Sequence, residues 1–328
     1  MSRKWMLLVA LLLTTILIWL ERREKKQLPA NEKMQAVVLP PSDSLWQAPD
    51  SGSISREEQA ELILYGKKLI ANTAAYLGPA GSIRHLSNGM NCQNCHLEAG
   101  TKAWAGNFGG VAAIYPRFSD RRGSHETVNQ RITDCFERSM NGKAPDSNSR
   151  EMKAMSAYIL WVGKDVEKGK KPKGVGLEIL SYINRAADSA KGRVIFAKKC
   201  QTCHGTNGEG KPDSAGGYTY PPLWGVNSYN TAAGLYRLSK FAGFVKDNMP
   251  FGSDYKNEQL STEEAWDLAA FVNSQPRPVK KFKQDWPDIR LKPVDLADGP
   301  FPDSFSVNQH KFGPYSPIAE QKKTLGKK

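Results

Sequence analysis

The sequence predicts an all-α protein of two similar small helical domains, and three observations support that fold. A five-residue pattern occurs twice, as Cys-Gln-Asn-Cys-His at 92–96 and as Cys-Gln-Thr-Cys-His at 200–204. A predicted helix precedes each copy and two more follow it, with apolar residues at helical spacing. The motif histidine lies 62 residues before an aromatic residue of the last helix in both halves, Tyr158 and Trp266. An equal interval of this kind is typical of an internal duplication.

The repeated Cys-x-x-Cys-His pattern is the attachment site of a covalent haem c. On a helical turn, positions i, i+3 and i+4 share one face, so both sulfurs reach one porphyrin while the imidazole turns to the iron. A single copy could also be a redox Cys-x-x-Cys or half a zinc site. Two complete copies favour two covalently bound haems c and two class I cytochrome c domains. The predicted haem-binding residues are Cys92, Cys95, His96, Cys200, Cys203 and His204.

Composition shifts along the chain predict its domain boundaries. We expect an N-terminal signal-anchor or transmembrane segment (1–26), a tether (27–54), a first cytochrome c domain (55–165), a linker (166–185), a second cytochrome c domain (186–277) and a C-terminal extension (278–328). The linker is basic and contains Gly and Pro. The extension is rich in Pro, Asp and aromatic residues, and we expect an irregular tail that wraps the domains.

The N-terminus has the pattern of an export signal. Arg3 and Lys4 precede an apolar run from Trp5 to Leu20, and charged residues follow directly. The run is slightly shorter than the roughly 17–25 residues that span a bilayer, and no small-x-small cleavage pattern ends it. We therefore predict an uncleaved anchor on the periplasmic side of a bacterial inner membrane. A cleaved signal and a periplasmic protein are the alternative.

Each half has predicted helices around its motif. Ser55-Arg56-Glu57-Glu58 has the capping pattern Ser-x-x-Glu and predicts the start of the first helix, in which Gly66 allows close packing. The corresponding predicted helix of the second half contains Gly192 and Phe196. The other predicted elements are a Gly/aromatic loop at 104–118, helices at about 124–141, 150–162, 186–199, 231–246 and 262–274, and a Met-Pro loop at 249–250.

The charge of the chain is strongly basic, with 46 Lys and Arg against 33 Asp and Glu. No segment resembles a nucleic-acid-binding motif, so we expect no nucleic-acid partner. The surplus suits an anionic substrate or an acidic electron-transfer partner, because a positive surface attracts either one.

The sixth iron ligand of the second haem is predicted to be Met249. It lies in a Met-Pro loop 45 residues after His204, and a thioether opposite a histidine raises the haem potential. Core packing is the alternative role of Met249, and Lys246 is a weaker competing ligand.

For the first haem the candidate sixth ligands are Cys135, Met140 and His125. Cys135 is the only one of five cysteines outside the two motifs, and a leftover cysteine in an exported protein needs an explanation. On a regular helix Met140, five residues on, would point away from Cys135. A buried free cysteine is the alternative.

The neighbours of Cys135 are polar and cationic at helical spacing. Arg131, Cys135 and Ser139 are at i, i+4 and i+8, and Arg138 adds a second guanidinium to this stripe. Upstream, Arg121 is one of three arginines between 117 and 122. Guanidinium groups bind oxyanions through a planar, permanently charged fork. The pattern predicts an anion site around a reactive sulfur.

Together these segments resemble the dihaem c-type thiosulfate dehydrogenases over roughly residues 55 to 318. The matching segments are Asn91 to Leu97, Tyr115 to Phe118 with Arg121, Arg131 with Cys135 to Gly142, Cys200 to Gly205, Met249-Pro250 and Gln309 to Tyr315. The haem motifs are common to many cytochromes, so the Cys135 segment and the tail make the resemblance specific.

The resemblance implies an enzyme that joins two thiosulfates into tetrathionate, with electrons passing from a His/Cys haem to a His/Met haem. Cys135 would be iron ligand and carrier of a transient sulfur adduct, with Arg121, Arg131 and Ser139 near the substrate. A downstream cytochrome or other acceptor would take the electrons. Relatives that exchange Lys for Met at the second haem have Lys where this chain has Asn248, which argues against such an exchange here.

Two other functions fit the same motifs. One is a non-catalytic dihaem electron carrier in which Met140 is the ligand and Cys135 is buried. The other is a sulfur-oxidation cytochrome that acts on the thiol of a carrier protein. Whether thiosulfate oxidation or tetrathionate reduction dominates stays open, because haem potentials depend on burial and hydrogen bonding.

Overall fold

The helices lie mostly around two separate cores. The structure is a computed structural model that describes residues 45–214 and 216–325. The helices of the first half are α1 (Ala60–Ala71), α2 (Thr73–Leu77), α3 (Leu97–Gly100), α4 (Val111–Ile114), α5 (Val128–Asp134) and α6 (Arg150–Val162). Those of the second half are α7 (Ser189–Lys199), α8 (Gln201–His204), α9 (Leu238–Asn248), α10 (Thr262–Ser274), α11 (Val307–Phe312) and α12 (Ser316–Leu325).

Shorter elements connect these helices. The described residues form 3-10 turns at Ser51–Arg56, Cys92–Asn94, Gly234–Tyr236 and Ile289–Leu291, and a π-helical segment at Cys135–Ser139. Two antiparallel hairpins pair β1 (Arg117–Ser119) with β2 (Ser124–Glu126) and β3 (Lys211–Pro212) with β4 (Tyr218–Tyr220). The fold is therefore mostly helical, and the prediction of an all-α fold missed both hairpins.

Each core is centred on one close helix crossing. A Cβ atom at Gly66 of α1 would lie 2.0 Å from the carbonyl oxygen of Ala154 in α6. A Cβ atom at Gly192 of α7 would lie 2.0 Å from the carbonyl oxygen of Asp267 in α10. Only glycine allows either contact, because any side chain would overlap the facing backbone. The two crossings are equivalent, as an internal duplication requires.

The crossings also correct the predicted register between the two halves. A Cβ at Gly66 would lie 2.8 Å from the Cβ of Tyr158, and one at Gly192 would lie 2.8 Å from the Cβ of Phe271. Tyr158 therefore corresponds to Phe271, and the 62-residue interval to Trp266 does not mark equivalent positions. The segments between the haem motif and the last helix differ in length in the two halves. Equal residue intervals from the two histidines therefore do not end at equivalent positions.

Two predicted helix boundaries were wrong for local reasons. Residues 124–126 are strand β2, and the next helix starts after Thr127, whose hydroxyl accepts from Gln130 N at 3.3 Å while Gln130 Oε1 accepts from Thr127 N at 2.8 Å. Ser55 does not cap α1, because its hydroxyl donates to the Gly52 carbonyl within a 3-10 turn. The predicted bounds 150–162 and 262–274 are confirmed by α6 and α10, which begin after the capping residues Ser149 and Ser261.

Hydrogen bonds join the two halves along a seam. Asn230 donates from Nδ2 to the Glu137 carbonyl at 2.9 Å, and Asn248 donates to the Trp104 carbonyl at 3.1 Å. Lys102 donates to the Ser253 carbonyl at 3.0 Å. Each of these contacts fixes a loop next to one of the two haem motifs.

The C-terminal tail is less irregular than predicted, because it contains α11 and α12. Tyr315 and Ile318 are 2% and 1% exposed in the second core. Trp286 N donates to the Arg121 carbonyl at 2.8 Å, which attaches the tail to the first half as well. The tail therefore packs on both halves.

The predicted membrane anchor, 1–26, lies outside the described residues. In 45–214 and 216–325, no helix combines the length and apolar character needed to cross a membrane. The described end of the predicted tether packs on the first half, where Trp46 is 7% exposed and donates from its backbone N to the Lys173 carbonyl at 2.8 Å.

Candidate active site

Both motif histidines have one ring nitrogen held by a backbone carbonyl. His96 Nδ1 contacts the oxygen of Gly106, and His204 Nδ1 lies 2.9 Å from the oxygen of Pro221. This leaves Nε2 as the nitrogen free for a metal, because a hydrogen bond at one nitrogen sets the tautomer. Burial lowers the pKa of His96 to about 4, so its ring is neutral, as ligation requires. The carbonyls of Gly106 and Pro221 had no signal in the sequence.

The first motif lines an apolar cavity that also contains Cys135. Cys92, Cys95 and His96 share this cavity with side chains of α1, α5 and α6. Thr73 holds the motif in place, because its hydroxyl accepts from Cys92 N at 3.0 Å and donates to the Leu69 carbonyl at 2.7 Å.

The second motif lines another cavity together with Met249. Cys200, Cys203 and His204 are joined there by apolar side chains of α9 and α10. Lys246, the competing ligand, does not line this cavity, and its ammonium pairs instead with Glu258. Asn248 is turned away into hydrogen bonds with the Trp104 and Phe244 carbonyls.

Cys135 begins a π-helical segment, and this changes which residues share its side of the helix. Met140 N donates to the Cys135 carbonyl at 3.0 Å, an i+5 to i bond of the π type. Because the turn is wider than an α turn, Met140 lines the same cavity as Cys135. The prediction that Met140 points away was therefore wrong. His125, the third candidate, is exposed on β2 and lines none of these cavities.

Arg138 does not belong to the predicted cationic stripe beside Cys135. It donates to both oxygens of Asp285 at 2.6 and 2.8 Å, and its Nε lies 3.5 Å from Asp134. Its guanidinium lies 3.9 Å from the centre of the Phe282 ring. The π-helical turn and the tail together direct Arg138 away from the cysteine.

Arg121, Arg131, Cys135 and Ser139 line one cavity of about 510 Å³ between the two halves. This volume is typical of a small-molecule site. In the described chain neither Arg121 nor Arg131 forms an ion pair, although Arg121 donates to the Ala232 carbonyl at 3.4 Å and lies 5.5 Å from the Trp286 ring. The cavity therefore offers two unpaired guanidinium groups beside a sulfur.

The two arginines have opposite electrostatic surroundings. Interaction with Cys135 raises the pKa of Arg131 above its usual value, and Glu126 and Asp134 act in the same direction. Burial, followed by repulsion from Arg138 and Arg131, lowers the pKa of Arg121 to about 10. Three acids also line the cavity. Glu126 pairs with Arg117 at 3.2 Å and Asp134 with Arg122 at 2.7 Å, and Asp120 is exposed. An anion in the cavity would be attracted to both free guanidiniums.

The second half supplies part of the cavity wall, which the sequence did not indicate. Arg237 and Lys240 line it from the start of α9, Lys171 from the linker and Trp286 from the tail. The only sequence signal was the basic character of the linker. The tail and α9 come into position through the docking of the halves.

Comparison with known proteins places cytochrome c families on both halves of the chain. The family described as SoxA/TsdA, cytochrome c domain, matches residues 84–167, and the cytochrome c family matches residues 189–276. A thiosulfate dehydrogenase of Psychrobacter arcticus is 37% identical over 242 residues, which cover 73% of this chain and 71% of the relative. One of Allochromatium vinosum is 40% identical over 223 residues, covering 67% and 79%. This chain belongs to the thiosulfate dehydrogenase family.

A solved structure is also similar. The thiosulfate dehydrogenase TsdBA of Marichromatium purpuratum, in its as-isolated form, matches with a TM-score of 0.68 and 28% identity. The match covers 84% of this chain, and the chain spans 56% of the length of that protein.

Membership of the thiosulfate dehydrogenase family, with its two cytochrome c domains, assigns two covalently bound haems c. The residues present fit them, because each apolar cavity brings together two cysteine sulfurs, a neutral histidine with a free Nε2 and a further sulfur-containing side chain. Buried apolar surroundings of this kind hold a macrocycle and limit water at the metal.

Cys95 is placed where three cavities meet. It lines the first haem cavity, the second haem cavity and the cavity with the arginines. The second haem cavity also includes Met90 and Asn91 of the first half. The first motif therefore borders both haem cavities.

Proposed function

We propose that this protein oxidises thiosulfate at the cavity between its halves and joins two thiosulfates into tetrathionate. The observation that carries the proposal is the position of Cys135, which lines both the first haem cavity and the cavity that contains Arg121 and Arg131. The family relatives named thiosulfate dehydrogenase support the same activity. Tetrathionate reduction by the reverse reaction would use the same groups.

Arg121 and Arg131 reduce the repulsion between the incoming thiosulfate and the sulfonate of the first. A charge of −2 and a charge of −1 at about 4 Å repel by roughly 2 kcal/mol in bulk water, and by more in a partly buried cavity. Both guanidiniums are free of carboxylate partners in the described chain, so their charge is available to substrate. The Ser139 hydroxyl lines the same cavity and is placed to donate to a sulfonate oxygen.

Cys135 supplies the reacting protein sulfur. In the first step its thiolate and the outer sulfur of one thiosulfate form a sulfur–sulfur bond, and two electrons leave one at a time. In the second step the outer sulfur of another thiosulfate attacks the adduct sulfur that is bonded to Cys135 Sγ. The Sγ–sulfur bond breaks, tetrathionate is released and Cys135 leaves as the thiolate. No proton is consumed or released. The haems, when bound, supply the one-electron acceptors that this oxidation needs.

The side chains that separate the two haem cavities support onward electron transfer. Cys95 borders both cavities, and Met249 with His204 lines the second. A thioether and an imidazole as iron ligands would raise the potential of the second site. A downstream cytochrome or other acceptor would then receive the electrons.

Turnover of thiosulfate and of tetrathionate, each with an artificial electron carrier, tests the proposal. Cys135→Ala should keep both haems attached, because the four motif cysteines are untouched, and should abolish turnover in both directions. Arg131→Ala should mainly raise the thiosulfate concentration required, since a charge-assisted hydrogen bond contributes about 1.5–3 kcal/mol. Near-normal oxidation by Cys135→Ala would contradict the proposal.

One observation favours a second function, a non-catalytic dihaem carrier. Met140 lines the same cavity as Cys135, so a methionine ligand at the first haem is sterically reachable. Spectroscopic assignment of the iron ligands in wild type and in Met140→Leu separates the two functions. Loss of a ligand signal in Met140→Leu would favour the carrier.

The cytochrome c domains support a location outside the cytoplasm, and we further propose that residues 1–26 anchor the protein in the membrane. Protein from membrane fractions should keep its original N-terminus and require detergent for release. Soluble protein starting near residue 27 would replace the anchor with a cleaved signal.

A further inference from the structure

The wall of the active-site cavity that comes from the second half and the linker carries its own set of cations. Arg237, Lys240 and Lys171 all line the cavity there. Arg237 is paired with Asp295, because its Nε and Nη2 donate to Asp295 Oδ1 at 2.8 and 2.6 Å. Within 45–214 and 216–325, the ammonium groups of Lys171 and Lys240 form no ion pair and no hydrogen bond. Two unpaired positive charges are therefore left on this wall.

Lys240 is the more enclosed of the two. Its side chain is half-buried at the start of α9, whereas Lys171 is exposed on the linker. Burial, Arg237 and Lys171 lower the pKa of Lys240, and Asp295 opposes this only partly. Asp295 is already bound by Arg237 and by both the backbone N and the hydroxyl of Ser239. An ammonium in these surroundings is stabilised by an added anion.

The second step of the proposed reaction brings a thiosulfate dianion into a cavity that already holds the sulfonate of the Cys135 adduct. Arg121 and Arg131 lie beside Cys135 and suit the thiosulfate that reacts with its sulfur. A thiosulfate placed against the same two guanidiniums would meet the full repulsion of that sulfonate. Cations on a different wall hold the two anions apart until the second sulfur attacks.

We propose that Lys240, with Lys171 beside it, forms a second sulfur-oxyanion subsite on the far wall of the cavity. This inference rests on the proposed thiosulfate oxidation and adds to it the place of the second thiosulfate, which is also the place of one sulfonate end of tetrathionate. The subsite exists only when the halves are docked, because α9 and α5 belong to different domains. The second domain thus completes the substrate site besides holding a haem.

The propionate groups of a haem are an alternative anionic partner for Lys240 and Lys171. The experiment separates the two, since a propionate contact alters the resting haem spectrum and potential, whereas a substrate contact alters the concentration dependence of turnover. Lys240→Gln removes the charge and Lys240→Arg retains it. Lys198→Gln is the matched control, because Lys198 is an exposed lysine of α7 that lines none of the cavities.

Rates are measured against thiosulfate concentration, together with absorption spectra and haem potentials, on the purified dihaem protein. We expect Lys240→Gln to raise the half-saturating thiosulfate concentration on the order of tenfold or more, with a smaller effect on the maximal rate. Lys171→Gln should act in the same direction and more weakly, since it is exposed. Lys240→Arg should return toward wild type, and Lys198→Gln should match wild type.

The subsite is overturned if Lys240→Gln has the same half-saturation as Lys198→Gln while wild type turns over. It is also overturned if the variant shifts the resting haem spectra or potentials, which would assign Lys240 to a propionate. Absence of thiosulfate turnover by wild type is a different result, which rejects the proposed function itself.

Discussion

The tail residue Asp285 is predicted to stabilise the Cys135 segment through its ion pair with Arg138. Arg138 is 4% exposed, contacts both Asp285 oxygens at 2.6 and 2.8 Å and lies 3.9 Å from the Phe282 ring centre. In Asp285→Ala the guanidinium stays buried without its main partner. Breaking a buried ion pair costs about 3–5 kcal/mol. Because Asp134 still lies 3.5 Å from Arg138 Nε, we expect the lower end, about 3 kcal/mol.

Thermal unfolding of the dihaem protein, followed by far-ultraviolet circular dichroism, measures this loss. A loss of about 3 kcal/mol should lower the midpoint by roughly 4–5 °C for a chain of 328 residues. Asp288→Ala is the control. Asp288 pairs with the exposed Arg290 in the same tail, and ion pairs at the surface contribute little to stability. The double variant Arg138→Met with Asp285→Leu should recover much of the loss, since no buried charge is left unpaired. Equal midpoints for Asp285→Ala and Asp288→Ala would refute the reasoning.

Three further predictions concern the cores and the second haem site. Gly66→Ala should destabilise the protein by about 3 kcal/mol in chemical denaturation, since its Cβ would lie 2.0 Å from the Ala154 carbonyl oxygen. Gly234→Ala is the control and should change stability little, because a Cβ there would have no heavy atom within 4 Å. Asp295→Asn should lower stability at neutral pH and have progressively less effect as the pH falls. Met249→Gly should lose the near-infrared Met–haem band and slow onward electron transfer; persistence of the band would remove Met249 as ligand.

The expected pH dependence of the Asp295→Asn variant follows from the partners of Asp295. Burial alone would raise its pKa, but the charge and hydrogen bonds of Arg237 and the hydrogen bonds of Ser239 outweigh burial and lower it below 3.8. A carboxylate with a lowered pKa contributes stability above its unfolded value, and the contribution is lost as pH falls through the folded value. The stability deficit of Asp295→Asn should therefore be complete above about pH 4 and shrink as the pH falls further toward the lowered folded pKa. A deficit that stays constant with pH would contradict this assignment.

Features that depend on neighbours in the chain were predictable. The spacing of Cys92, Cys95 and His96 places three side chains on one turn whatever the rest of the chain does. The bounds of α6 and α10 were predictable for a similar reason, since Ser149 and Ser261 cap them locally. Local patterns failed where a competing local bond existed, as at Ser55, whose hydroxyl is used within a 3-10 turn.

In the candidate site, too, local sequence neighbours were predictable and the effects of other segments were not. Arg131, Cys135 and Ser139 were predictable as neighbours, whereas the π-helical turn brought Met140 to the same cavity and turned Arg138 toward Asp285. A helix pattern assumes a regular turn, so one wider turn changes every residue that follows it.

By itself the sequence determined the two haem motifs, the odd cysteine and the basic character of the chain. Only the tertiary structure decided which residues reach the cavity: the cations Arg121 and Arg131 from one half, the cation Lys240 from the other and the aromatic Trp286 from the tail. These residues are far apart along the chain, and their proximity depends on helix crossings at Gly66 and Gly192 and on the docking of the halves. Contacts between distant segments depend on how side chains pack together in three dimensions without overlap. A local sequence pattern does not contain that information.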